Sequence, residues 1–248
     1  MSGHSKWANI KHRKAAQDAK RGNLFQKLVK AIIIAAKEGG GDPSTNVRLK
    51  AALDRAKAAS VPANNIDRAI KRGTGEIEGA VYEELVYEGY GPDGVAVIIE
   101  CLTDNKNRTT PEIRVLLDRS GGSLGATGSV SWMFERRGVI NLSGDNLDEE
   151  ELMEAALECG AEDVERDDGF VVYTNPSDLN DVKEALEARG YGIENAESQM
   201  VPKTTVVVSN PDKAKKILKL MDMIESHDDV QSVASNFDIS QEIMDEID

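Results

Sequence analysis

The chain has 248 residues, 40% hydrophobic and 30% charged, with a formal net charge of -14 at pH 7. That length supplies one large core or two to three small ones, and the longest uninterrupted apolar run, Ala31 to Ala36, falls far short of the roughly 20 residues a membrane span needs. The charge is segregated: residues 1–75 hold 16 basic and 5 acidic side chains, net +11, and the remainder holds 14 and 39, net -25.

The opening arm, Ser2 to Lys14 and on through Lys20-Arg21-Gly22, concentrates the cations. Up to Lys37, nine Lys or Arg stand against one acid, Asp18. A cationic end on an acidic chain points to a polyanionic partner met at one defined face. His4, Trp7 and His12 sit among these cations, and such rings can stack on unpaired bases while Lys and Arg meet phosphates. The expected nucleic-acid contacts are therefore His4, Lys6, Trp7, Lys11, His12, Arg13, Lys14, Lys20, Arg21, Lys27 and Lys30, extended by Arg68, Lys71 and Arg72. Residues 6–21 carry their basic side chains all around a helical wheel, so the segment has no face to bury and is expected to stay mobile until it meets its partner.

From Asn23 the pattern becomes amphipathic, with Leu24, Phe25, Leu28, Val29, Ile32 and Ile33 on one face, and it stops at Gly39-Gly40-Gly41. Pro43 is expected to open a second helix with Leu49, Ala52, Leu53 and Ala56 inward, and Asn64 to cap a third that ends at Gly73. After a linker, Gly73 to Gly79, the period turns strand-like. Leu85–Tyr90, a turn at Gly91-Pro92-Asp93-Gly94, and Val95–Leu102 read as a hairpin. A polar loop, Thr103–Arg108, leads to a helix start at Thr110-Pro111. Gly121-Gly122 closes that helix, and Val130, Trp132 and Phe134 alternate as a strand.

Residues 138–202 follow a βαββαβ order, the ferredoxin-like plan. The segments after it, Thr204–Val208, a helix from Pro211 and a strand near Val230–Phe237, lack partners of their own. The expected architecture is α+β: a basic arm and helical bundle (1–78), a discontinuous α/β middle domain (79–137 with 203–240), an inserted ferredoxin-like domain (138–202) and a fraying acidic tail (241–248). Cys101 and Cys159 have no metal or redox spacing and read as free core thiols of a cytoplasmic protein. No secretory leader is expected, and Trp7 and the two histidines fit a transit peptide poorly.

Several long motifs resemble the YebC family, which includes the mitochondrial translational activator of cytochrome c oxidase. They are Gly3 to Lys14, Ala36-Lys37-Glu38-Gly39-Gly40, Tyr87-Glu88-Gly89-Tyr90-Gly91-Pro92, Thr103-Asp104-Asn105 with Asn107-Arg108-Thr109, and Gly121–Gly125 running to Gly128-Ser129-Val130. Thr110-Pro111 departs from the small residues expected there. The resemblance spans essentially the whole chain and implies three domains, the first helical and the others α/β. It also implies a regulator of gene expression, DNA-binding in transcription or ribosome-associated in translation. Under it, Asn105, Arg108, Ser123 and Ser129 become contact-loop candidates.

Three alternatives compete locally. The second and third helices could form a helix-turn-helix, with Asn64 and Asn65 the only amides near the bases. The Gly121–Ser129 loop lacks the Lys-Ser or Lys-Thr and the strand-loop-helix order of a nucleotide loop. Glu100 and Asp104 could suggest a metal-dependent nuclease, yet no further ligand is spaced to complete the set. The expected protein is non-enzymatic, without metal or cofactor, with nucleic acid, the ribosome and proteins of the acidic domains as partners.

Overall fold

The computed structural model describes residues 18–143, 147–166 and 169–247, with backbone alone for 18–21 and 241. Three helices come first: α1 (Asp18–Gly39), α2 (Val47–Ala58) and α3 (Ala63–Gly73). Leu28, Ile32 and Ile33 of α1 pack on Leu49 and Leu53 of α2 and on Ala69 of α3. Each fully buried aliphatic of this kind contributes about 2 kcal/mol, so this stripe is what closes the bundle.

The helix ends depart from the sequence expectation. Among the described residues α1 is already helical at Asp18, six residues before the apolar stripe opens at Leu24. Residues 42–46 form a turn in which Asp42 accepts the Ser44 N–H at 2.9 Å, and α2 starts only at Val47. Its cap is Asn46, whose Oδ1 accepts the Leu49 N–H at 3.0 Å while its Nδ2 donates to Ala35 O at 2.7 Å. One buried amide thus caps α2 and ties it to α1. Pro62, not Asn64, occupies the cap position of α3. At the other end of α3, Gly73 lets two helices touch: a Cβ there would lie 2.5 Å from Ile33 O.

Along the rest of the chain run β1 (Glu83–Tyr90), β2 (Ala96–Thr103), α4 (Lys106–Arg119), β3 (Ser123–Leu124), β4 (Phe134–Ser143), α5 (Glu149–Glu158), β5 (Asp163–Arg166) and β6 (Phe170–Thr174). Then come α6 (Leu179–Ala188), β7 (Gly192–Pro202), β8 (Val206–Val208), α7 (Pro211–Glu225), β9 (Val230–Ser235), β10 (Phe237–Ile239) and α8 (Gln241–Ile247). Strands β1 and β2 form the expected hairpin, registered from Glu83↔Thr103 to Tyr90↔Ala96. Strand β9 returns from far along the chain to pair antiparallel with β2, giving the sheet order β3-β1-β2-β9. One face of this sheet, with Val97, Ile99 and Cys101, is covered by Ile113 and Leu117 of α4 and by Ile217, Leu220 and Ile224 of α7.

The second sheet has the order β5-β6-β4-β7, all antiparallel. With β4, β5, β6 and β7 as successive strands of a βαββαβ unit, that is the ferredoxin-like arrangement. Leu152 of α5 and Val182 and Leu186 of α6 fill its core against Ile140 and Val172. A short parallel pair, β8 with β10, buries Phe237 and Ile239 beside α7.

Three further expectations are corrected. Helix α4 begins at Lys106, not Thr110, because Asn105 accepts the Arg108 N–H at 3.2 Å and caps it. Residues 131–133 are a single 3-10 turn, so Val130, Trp132 and Phe134 do not alternate as one strand. The acidic tail does not fray over its described part: residues 241–247 are helical, and Ile243, Met244 and Ile247 pack into the core with α7. Those three apolar positions at i, i+1 and i+4 outweigh the acids between them.

Candidate nucleic-acid interface

Seven of the expected contacts, His4, Lys6, Trp7, Lys11, His12, Arg13 and Lys14, lie outside the described residues. Lys20 and Arg21 are backbone positions in the opening turns of α1. The described cations of the bundle are largely occupied by the body of the protein itself.

Helix α1 docks on the turn between α7 and β9. The last carbonyls of α7 have no intrahelical donors and carry the negative end of its dipole. Lys27 donates to Glu225 O, Asn23 to Ser226 O at 2.9 Å, and Lys30 to Asp228 O at 2.9 Å. Lys30 also bonds the Asp229 carboxylate at 2.8 Å, with side-chain exposures of 12% and 2%. Lys27 and Lys30, two of the lysines expected to meet phosphates, thus make an internal contact through the return of the chain into β9.

Asp229 gathers four donors around one carboxylate. Arg108 and Thr109 each reach its Oδ2 at 2.7 Å and Thr103 does so at 3.1 Å, while Lys30 holds Oδ1. Its own N–H donates to His227 Nδ1 at 3.1 Å, which leaves the proton on Nε2 to meet Glu112 at 3.0 Å. Burial alone would raise the Asp229 pKa, but the bonds from Lys30, Arg108 and Thr109 outweigh it and hold the carboxyl well below the usual carboxylate range. Asn105 and Arg108 are thus a helix cap and an ion-pair partner.

The outer face of α2 also turns inward. Arg48 pairs with Glu38 and with Glu84 of β1, Lys50 lies 3.7 Å from Glu184 of α6, and Arg55 lies 3.5 Å from Glu197 of β7. These exposed pairs contribute about 0–1 kcal/mol each and are screened by salt, so the Lys30–Asp229 contact dominates the docking. On α3, Lys71 pairs with Asp67 at 2.8 Å and Arg72 lies against Gly79 of the linker. Arg68 is exposed.

A second buried carboxylate shapes the glycine-rich loop. Glu88 accepts the N–H groups of Gly128 at 2.7 Å and of Val130 and Ser131 at 2.8 Å each. Gly128 has φ +86, the left-handed conformation that favours glycine. Burial would raise the Glu88 pKa, and the three backbone donors override it, so the net shift is downward. Ser123 pairs with Tyr90 as part of β3, and the Ser129 hydroxyl is buried. The loop's exposed feature is Trp132.

The two carboxylates of the nuclease alternative have partners within the chain. Glu100 bonds Arg136 and Ser232, and Asp104 bonds Arg108 at 3.2 Å. Among the described residues no group of three or more His, Cys, Asp or Glu is placed to hold a metal ion, and no described helix is long and apolar enough to cross a membrane.

Residues 5–76 match the family description "TACO1/YebC protein N-terminal domain", and residues 82–237 match "TACO1/YebC second and third domain". The chain belongs to the TACO1/YebC family. Curated TACO1/YebC-like relatives include a "Probable transcriptional regulatory protein" of Halothermothrix orenii, 56% identical over 100% of this chain and 99% of that one. A protein of the same name from Persephonella marina is 53% identical over the full length of both. The fold is also similar to the crystal structure of a conserved hypothetical protein from Aquifex aeolicus, with a TM-score of 0.87, 48% identity, and coverage of 96% of this chain and 99% of that one.

Sequence reasoning within this family pattern missed Asp229, Glu88 and Trp132. Asp229 sits in His227-Asp228-Asp229, which reads as a plain turn, so no local signal marks it. Glu88 did carry a signal, because it shares a strand face with Val86 and Tyr90. Trp132 carried one too: it is one of two tryptophans in a chain that is 4% aromatic.

Proposed function

We propose that the protein is a non-enzymatic, cytoplasmic regulator of gene expression that binds nucleic acid through its basic N-terminal segment, and that its ligand is a folded RNA such as that of the ribosome. The observation that carries this is the charge segregation, net +11 over residues 1–75 against net -25 beyond. The internal docking strengthens it. Lys27, Lys30, Arg48, Lys50 and Arg55 are engaged by the body, while the sequence before Asp18 holds four Lys or Arg and no Asp or Glu.

RNA is favoured over duplex because an acidic body discourages wrapping of a uniform polyanion, while rings among cations suit exposed bases. Helix α3 offers Arg68 with Asn64 and Asn65, a thin set for major-groove readout. The name of its family relatives, probable transcriptional regulatory protein, supports duplex DNA as the second reading.

The test is co-sedimentation of the purified chain with ribosomes, in parallel with a gel shift on mixed duplex DNA, both at about 0.15 M salt to suppress weak surface attraction. Pelleting with ribosomes and a weak shift of duplex supports the RNA reading. Sequence-dependent duplex binding without pelleting supports the second. Neither would end the nucleic-acid reading.

A further inference from the structure

We propose that Trp132 and the loop carrying it form a second contact, a stacking platform for an unpaired RNA base, a reading that rests on the nucleic-acid function above. The ring is 65% exposed, while Val130 and Phe134 on either side of it are buried against the middle sheet. Those two plugs hold the 3-10 turn at Ser131–Met133 from both ends.

The exposure is built rather than incidental. The indole Nε1–H donates to Ser129 O at 3.1 Å, and Tyr90 Oη donates to the same carbonyl at 3.1 Å. Beneath them the Glu88 carboxylate fixes the N–H groups of Gly128, Val130 and Ser131. Burying a carboxylate is costly unless it is fully bonded, and a simple link between a helix and a strand needs no such anchor. The consequence is a ring whose orientation is set before any partner arrives, so little ordering is left for the binding step.

The chemistry of the platform selects its occupant. With its only polar atom satisfied within the loop, the indole offers flat π surface alone. The strand that follows it is polar at Glu135 and Arg136, the latter paired with Glu100, and the exposed Lys203 donates its backbone N–H to Met133 O at 2.8 Å. A protein hot spot needs a surrounding apolar patch, and on this face of the sheet the other exposed large aliphatic among the described residues is Val86. A flat ring without an apolar surround instead fits the face of an unpaired base, where stacking tolerates any sequence.

The chain has two tryptophans, Trp7 and Trp132, so a Trp7→Phe protein reports on Trp132 alone. It would be titrated with a labelled, mixed-sequence single-stranded RNA at about 0.15 M salt, with anisotropy following the RNA and emission following the ring. The expected result is quenching of Trp132 emission in step with binding. In the wild-type background, Trp132→Ala should weaken the affinity about tenfold, as loss of one stacked base does, and Trp132→Phe should keep most of it. Binding with unchanged emission, together with wild-type affinity for Trp132→Ala, would overturn the platform, leave the ring to a protein contact, and leave the arm's function standing. Absence of any RNA binding by the intact chain would remove the platform together with the function on which it rests. Matching thermal unfolding of Trp132→Ala and wild type excludes misfolding as the cause of a loss.

Discussion

Lys30 of the first helix and Asp229 of the turn before β9 form an ion pair at 2.8 Å across a separation of 199 residues, with both side chains largely or fully buried. It joins the basic bundle to the acidic body at the point where Arg108, Thr103 and Thr109 also converge. Asp229→Ala would leave two cations and two hydroxyls facing a hole. The expected cost is about 3–5 kcal/mol, the range for breaking a buried pair from one side. Thermal unfolding measures that cost, and limited proteolysis should reveal new cleavage in the linker around Gly75–Gly79 as the bundle comes free.

The same carboxylate makes the fold acid-sensitive in a definite direction. Its folded pKa lies below its unfolded value, so its contribution is present above the ordinary carboxylate range near 4 and is lost as pH falls toward the depressed value. The difference in unfolding temperature between wild type and Asp229→Asn should therefore be full at neutral pH and shrink progressively below about pH 4. A difference that stays constant to strong acid would contradict this.

Much of the fold was legible in the sequence because it is written in local periods. The apolar stripe of α1, the alternating hairpin and the βαββαβ order of residues 138–202 all follow from spacing over a few turns or strands. The fate of the lysines was not legible. Nothing near Lys27 or Lys30 says that a helix terminus some 200 residues later needs donors, since charge pairing at a distance leaves no periodic mark. Asn105 shows a subtler loss: its cap geometry is local, yet its neighbours in a polar run favoured a loop and hid a helix start.

The Glu88 anchor gives a separate expectation. Glu88→Gln replaces an acceptor oxygen by a donor facing backbone N–H groups, and the penalty is about 1–3 kcal/mol. The loss should be local. Amide exchange at Gly128, Val130 and Ser131 should accelerate while the β1–β2 ladder keeps its protection, and uniform protection would argue against the anchoring role.

The cysteines should differ in reactivity. Burial, aided by the nearby Asp229 charge, pushes the Cys101 thiol up to about 12, whereas Cys159 is partly accessible. A thiol reagent at neutral pH should modify one cysteine per native chain, Cys159, and both after denaturation.

The central claim, that the cationic arm carries nucleic-acid binding, is tested most directly by removing residues 2–16 and measuring RNA affinity across a salt series. The arm deletion takes away Lys6, Lys11, Arg13 and Lys14 while leaving α1 and its dock on Asp229 in place. The intact chain should bind with an affinity that falls steeply as salt rises, and the deletion should lose both most of the affinity and most of that slope, because each neutralised phosphate contributes to it. A deleted chain that keeps the affinity and the salt dependence of the intact one would contradict the account.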